Sequence, residues 1–291
     1  MLAWLWSRRD GGAFVVRMED LDRVTSSREH EARQLADLEA IGVDWDGPVL
    51  RQSERFDRYD DVIAGLDAAG LLYPCYCTRR EIAEAAHAPN GPLGGRYPGT
   101  CRELTAARRR ELTAAGRPPA LRLRAADVEV AFDDEVAGPQ RGRPDDVVLR
   151  RNDGVPAYNL AVVVDDGAQG VDVVVRGDDL LTSTPSQIHL AGLIGATVPR
   201  YAHVPLVLGP TGQRLAKRDG SVTLADRIAL GDTAADVVRF LLATAGFDAT
   251  DDGRGPSELL GTAASTFDPG CVPRAPFVAS GDLLRRSLRS S

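Results

Sequence analysis

The sequence predicts an α/β fold, a sheet with helices that is interrupted by one insertion and followed by a short helical segment. Three observations predict it. Apolar runs suited to buried strands alternate with helically spaced segments. A Cys-, Pro-, Gly- and Arg-rich stretch breaks that rhythm after Pro74, and helical patterning gives way near the end to Pro269, Pro273 and Pro276.

Residues 1–9 read as the end of a helix stopped by Gly11-Gly12. Residues 13–18 then read as a buried strand that delivers Glu19, Asp20 and Asp22 at its carboxyl end. Ser26 or Ser27 can cap the next helix, where Leu35, Leu38 and Ile41 keep helical spacing up to Gly42. A further helix starts near Asp57 and stops near Gly70. Within the insertion, 104–114 reads as helix, with short strands at 121–124 and 147–150. Sheet-like sequence resumes with Ala161-Val162-Val163-Val164-Asp165-Asp166 and continues with 171–177; a helix follows from about 186 to 194. These boundaries divide the chain at 1–74, 75–150, 151–230 and 231–291.

Composition bounds the function. Hydrophobic content of 43% and charged content of 26% are those of a globular protein, and no apolar run approaches the roughly 20 residues that span a bilayer. A cytoplasmic protein, monomeric, is the expectation. The net charge of −7 does not announce a nucleic-acid binder, although ten arginines between Arg108 and Arg151 could form a local basic face. An arginine-rich helix face is more often simply solvated. His30, His87, His189 and His203 are scattered without H-E-x-x-H spacing, and no phosphate-binding glycine loop is present.

Two constellations and one solitary residue can carry chemistry. Cys75, Cys77 and Cys101 cluster, which suits thiolate ligation of Zn2+, with His87, Tyr97 or water as fourth ligand; imidazole is the chemically commoner choice, and three inert thiols are the plain alternative. Cys271 has no companion. Glu19, Tyr158 and Arg176 stand near predicted strand ends, where an acid for an ammonium and an arginine for a carboxylate would describe an amino-acid pocket. Lys217 is the single lysine among 35 basic residues; a mobile ammonium can follow a moving phosphate as a planar guanidinium cannot.

Arg17-Met18-Glu19-Asp20-Leu21-Asp22, Cys75-x-Cys77 with Tyr97 and Cys101, Tyr158 through Asp166, Arg176-Gly177-Asp178-Asp179 and Arg214-Leu215-Ala216-Lys217-Arg218 together resemble the glutamyl-tRNA synthetase group of class I synthetases. The best match is its short branch, which glutamylates queuosine in tRNA(Asp). The resemblance runs from residue 1 to about 280. It implies a Rossmann-like catalytic domain in which Glu19, Tyr158 and Arg176 bind L-glutamate. It implies that Lys217 binds ATP, with Mg2+, and stabilises departing pyrophosphate. It also implies that Cys75, Cys77, Tyr97 and Cys101 hold one Zn2+, in place of the chemical preference for His87.

The reaction implied is activation of glutamate by ATP, then transfer to the queuosine base at the wobble position of tRNA(Asp). Only 74 residues follow Lys217 (291 less 217), which favours the short branch over charging of tRNA(Glu). Two departures are evident. The lysine loop reads R-L-A-K-R, without the first lysine and serine of K-M-S-K-S, and the chain opens beyond the family's first strand and H-x-G-x motif. His189-Leu190-Ala191-Gly192 is not that motif. Either the start codon is placed too far downstream, or the chain is a truncated, catalytically dead tRNA-binding or scaffold protein.

Overall fold

The computed structural model describes residues 1–22, 26–86, 96–215, 223–247, 253–285 and 287–288. His87 and Lys217 lie outside these residues. The first part of the chain runs α1 (Leu2–Arg9), β1 (Arg17–Met18), α2 (Arg28–Ala40), β2 (Leu50–Arg51), α3 (Phe56–Ala68) and β3 (Leu72–Cys75). Next come α4 (Arg79–Ala86), α5 (Ala106–Ala114), β4 (Ala120–Leu123), β5 (Val130–Asp134), β6 (Gly138–Gly142) and β7 (Val148–Arg150). Then follow α6 (Tyr158–Gln169), β8 (Val173–Gly177), α7 (Thr184–Ile194), β9 (Arg200–Val204) and β10 (Val207–Leu208). The last part holds α8 (Leu224–Ala229), α9 (Ala234–Thr244), α10 (Pro256–Thr266) and β11 (Phe277–Val278).

Local chemistry explains many of these boundaries. The Ser27 side chain accepts from the His30 backbone N–H and starts α2, while Thr223 with Asp226 and Thr233 with Asp236 form capping boxes for α8 and α9. Gly170, at φ 68°, closes α6 in the left-handed conformation. Among the described residues, the order β6-β5-β9-β8 makes a four-stranded sheet and β3-β4-β7 a three-stranded one. The pair β8 and β9 is parallel and joined through α7, the crossover unit of a Rossmann-like fold. The hairpin β5-β6, which the sequence reading did not foresee, joins this sheet through one parallel pairing, Asp134 with Tyr201.

Two expectations are corrected. The strand expected over 13–18 is paired only at Arg17 and Met18, each in parallel register with β2. The run 161–166, expected as a strand, lies in helix α6. Its β-branched residues favour a strand locally, but burial decides otherwise: Leu160, Ala161, Val162, Val163 and Asp165 all turn inward, against a core that includes Tyr59 and Ile63 of α3 and Leu190 of α7. A strand would send Ala161, Val163 and Asp165 to one face and Val162 to the other.

Asp165 shows how the helix is keyed in place. Its side chain is fully buried and accepts from Arg55 Nε at 2.7 Å, Tyr59 Oη at 2.7 Å and Gln52 Nε2 at 3.0 Å. A second core joins Trp4, Leu5 and Trp6 of α1 to Val238 and Leu242 of α9 and to Leu259 and Leu260 of α10. No helix of the described residues is long and apolar enough to cross a membrane. Replacing Asp165 by Ala leaves the Arg55 charge buried without its partner, a loss of about 3–5 kcal/mol by analogy with broken buried pairs. Urea denaturation of Asp165→Ala measures it, and a loss below about 1 kcal/mol would show that Asp165 does not key α6 to α3.

Candidate active site

The register of two parallel strands builds the centre of the site. Arg176 on β8 pairs directly with His203 on β9, so both side chains leave the same face of the sheet. Arg176 Nε donates to His203 Nε2 at 3.0 Å, Nη1 to Gln187 Oε1 at 2.7 Å and Nη2 to Thr184 Oγ1 at 2.8 Å. The guanidinium also lies 5.2 Å from the centroid of the Tyr201 ring. All three hydrogen-bond acceptors are neutral, and among the described residues no carboxylate forms an ion pair with Arg176. A Cβ on the next residue, Gly177, would sit 2.6 Å from Asp179 Oδ1 and 2.8 Å from Leu206 Cδ2, so a side chain there would displace both of these side-chain ends.

Acids stand nearby but are engaged by a different arginine. Arg17 Nη1 donates to Asp166 Oδ1 at 2.8 Å and to Gln169 Oε1 at 2.9 Å, and Arg17 Nη2 lies 3.7 Å from Glu19 Oε1. Burial pushes the Asp166 carboxyl up, against the pull of Arg17 and Arg176. Burial also pushes Glu19 up, with Asp166 adding repulsion, although 47% of its side-chain surface is open and solvent screens the effect. Tyr158 opens α6, where burial and the Glu19 charge raise its hydroxyl while Arg176 lowers it. Glu19, Tyr158 and Arg176 therefore share one electrostatic neighbourhood. Glu19 and Tyr158 also line a crevice of about 850 Å³ that extends to Cys75, Cys77 and Arg122.

At the far side of that crevice the three cysteines converge. Their Sγ atoms lie within 4.8 Å of one another, Cys77 and Cys101 at 3.5 Å. Tyr97 Oη lies 3.3 Å from Cys75 Sγ and 3.5 Å from Cys77 Sγ, and accepts from the Cys101 backbone N–H at 2.9 Å. Tetrahedral Zn2+ with Zn–S near 2.3 Å sets sulfur–sulfur edges of about 3.8 Å and sulfur–oxygen edges of about 3.5 Å. The donor set fits such an ion. Burial pushes the Cys77 thiol up to about 12, whereas hydrogen bonds involving Tyr97 and Arg122 outweigh burial at Cys75 and lower it.

Two other sequence features resolve differently. Of the lysine loop, residues 216–220 lie outside the described residues, while Arg214 near its start bridges to Leu208 and donates to Asp179 Oδ2 at 3.1 Å. Thr223 caps α8 at its exit. The arginine-rich stretch is largely paired with local acids, Arg108 with Glu111, Arg117 with Glu81, Arg124 with Glu103, Arg141 with Glu129 and Arg143 with Asp127. His189 is apart from the site residues and accepts from the Ala126 backbone N–H at 3.4 Å.

Sequence reasoning missed Arg17, Asp134, Asp166 and His203 as parts of this site. A histidine inside the apolar run Tyr201-Ala202-His203-Val204 was the available signal, since a buried imidazole needs partners. Burial holds His203 below its ordinary range, against the pull of Asp134, so the ring is neutral at pH 7. Unfolding lets it take up a proton below its free value of about 6.5, so its contribution is present above that pH and is lost as pH falls. Urea midpoints at about pH 7.5 and about pH 5 should fall less for the non-titrating His203→Gln than for the wild type. An equal fall would mean His203 carries none of the acid sensitivity.

Comparison with known proteins identifies the family of the chain. The family model of class I tRNA synthetases (E and Q), catalytic domain, matches residues 1–251. The glutamyl-Q tRNA(Asp) synthetase of Nocardia farcinica is 58% identical over 96% of this chain and 86% of its own length. That of Cutibacterium acnes is 50% identical over 91% of this chain and 75% of its own. A crystal structure of a glutamate tRNA ligase from Elizabethkingia meningosepticum, in complex with its amino acid, superposes with a TM-score of 0.75 at 25% identity. The match covers 97% of this chain but only 63% of that one. The chain belongs to the class I (E and Q) tRNA synthetases, a family of ligases with a mixed α/β catalytic domain, and within it to the glutamyl-Q tRNA(Asp) synthetases.

Proposed function

We propose that this chain activates L-glutamate with ATP and transfers it to the queuosine base of tRNA(Asp). The observation that carries the reading is Arg176, a full positive charge held by three neutral acceptors. Five donors on the guanidinium less these three leave two N–H groups, which the Tyr158 hydroxyl and a carboxylate can meet together. Glu19 and Tyr158 supply an acid and a hydroxyl to the same neighbourhood, suited to the ammonium and its orientation. The named relatives support queuosine-bearing tRNA(Asp) as the acceptor, since they match across most of their own length.

In this reading Lys217 meets the ATP phosphates, with Mg2+, and a mobile charge there stabilises pyrophosphate as it separates. Cys75, Cys77, Tyr97 and Cys101 hold one Zn2+. The ion would act as a structural clamp, tying the end of β3 to the 97–101 turn, and takes no part in the transfer. Residues 75–150 then form an insertion that carries both this clamp and the β5-β6 hairpin, between catalytic segments 1–74 and 151–230, with 231–291 as a short tail. A cytoplasmic monomer completes the proposal.

Two experiments test it. Labelled glutamate should pass to queuosine-bearing tRNA(Asp) and not to tRNA(Asp) lacking queuosine or to tRNA(Glu). Charging of tRNA(Glu) would contradict the acceptor, and no transfer to any of the three would contradict the activity. Metal analysis of freshly purified protein should find about one zinc per chain, reduced in Cys101→Ser, while a metal-free wild type would refute the clamp.

A further inference from the structure

Asp134 reaches the Arg176 site from the β5-β6 hairpin, a part of the chain that the reading above gives no role. Its side chain and that of His203 are fully buried, and His203 Nδ1 lies 2.6 Å from Asp134 Oδ2. The two carboxylate oxygens have different duties. Oδ1 accepts from the backbone N–H groups of Val136 at 3.0 Å, Ala137 at 2.8 Å and His203 at 3.1 Å. Oδ2 faces the imidazole and also receives the His203 backbone N–H at 3.2 Å.

An ionised carboxylate can only accept, so the ring hydrogen sits on Nδ1. A neutral imidazole carries one such hydrogen, which leaves Nε2 as a bare lone pair. That lone pair is what Arg176 Nε requires, at 3.0 Å. Thr184 Oγ1, 3.2 Å from the same nitrogen, could accept a hydrogen placed on Nε2 instead, but Arg176 Nε would then face a donor and the guanidinium would lose one of its three fixed contacts.

We infer that Asp134 is a positioning residue for Arg176: by holding His203 in its Nδ1–H form, it fixes the guanidinium that receives the glutamate carboxylate. The inference rests on the reading of Arg176 given under Proposed function. It makes the hairpin part of the amino-acid site, because the single parallel pairing of Asp134 with Tyr201 sets the carboxylate beside the neighbouring His203. Tyr201 stacks on the His203 ring with centroids 5.9 Å apart, which restrains its rotation from another side.

The substitution Asp134→Asn separates this role from a merely structural one. The three backbone donors on Oδ1 keep the amide oxygen in its place, so the amide nitrogen faces His203 Nδ1 as a donor. The imidazole must then carry its hydrogen on Nε2. Nitrogen-15 correlation spectra of the wild-type chain should place the His203 hydrogen on Nδ1; finding it on Nε2 overturns the inference whatever the variants do. In Asp134→Asn the hydrogen should move to Nε2, and calorimetric affinity for L-glutamate should fall by about tenfold or more.

His203→Ala removes the group through which the effect passes, so Asp134→Asn should cost little further affinity in that background. An equal cost in both backgrounds means that the effect does not pass through the ring, and the inference fails. Arg176→Gln distinguishes the levels. If it leaves glutamate affinity unchanged, the reading of the pocket fails and takes this inference with it; if it weakens affinity while Asp134→Asn does not, only the positioning role fails.

Discussion

A guanidinium without an acidic partner is the constraint around which this site is arranged. In most folds a half-buried arginine finds a carboxylate; here Asp134 reaches Arg176 only through the His203 ring, while Asp166 and Glu19 stand nearby. Both are engaged by Arg17, Asp166 at 2.8 Å and Glu19 at 3.7 Å. Arg17 thus draws the acids to the β1 side and leaves Arg176 among neutral acceptors. The arrangement separates charge across one space, with Asp166 and Glu19 on one side and on the other a cation that, among the described residues, no carboxylate contacts directly, which is what a zwitterionic amino acid complements. The β8-β9 register, which sets His203 beside Arg176, and the first turns of α7, which supply Thr184 and Gln187, hold that cation still.

The helix α6 connects this site to the core. One of its adjacent acids, Asp165, is locked into α3 through Arg55 and Tyr59, while Asp166 reaches Arg17. Its first residue, Tyr158, stands at the crevice. A single helix therefore sets the positions of a pocket residue and of the acid that occupies Arg17, and its rotation is fixed by a buried charge rather than by apolar packing alone. The same crevice runs on to the thiol cluster, where Tyr97 sits under the Arg122 guanidinium at 3.8 Å with its hydroxyl 3.3 Å from Cys75 Sγ and 3.5 Å from Cys77 Sγ.

Much of this was legible in the sequence, and the failures have physical causes. The α2 cap at Ser27, the helix after Thr184 and the strand carrying Arg176 were visible because each depends on local chemistry or simple periodicity. The Val162-Val163-Val164 run was not, since its residues prefer a strand and only burial against α3 and α7 makes it a helix. The hairpin 130–142 alternates half-buried and exposed residues and includes Gly138 and Pro139, which read as irregular in isolation. Asp134 could not be found at all, because its meaning lies in a partner 69 residues away. Cys75, Cys77 and Cys101 were legible as a cluster, whereas the placement of the Tyr97 hydroxyl beside them needed coordinates. Lys217 and His87 lie outside the described residues.

The central claim is that the free donors of Arg176 receive the carboxylate of glutamate. A crystal structure of the chain grown with L-glutamate tests it directly. The account expects a carboxylate within about 3 Å of Arg176 Nη1 and Nη2, with His203, Gln187 and Thr184 still holding the same nitrogens. Glutamate bound with its carboxylates on other groups, or an Arg176 that leaves those three acceptors to meet it, would contradict the account.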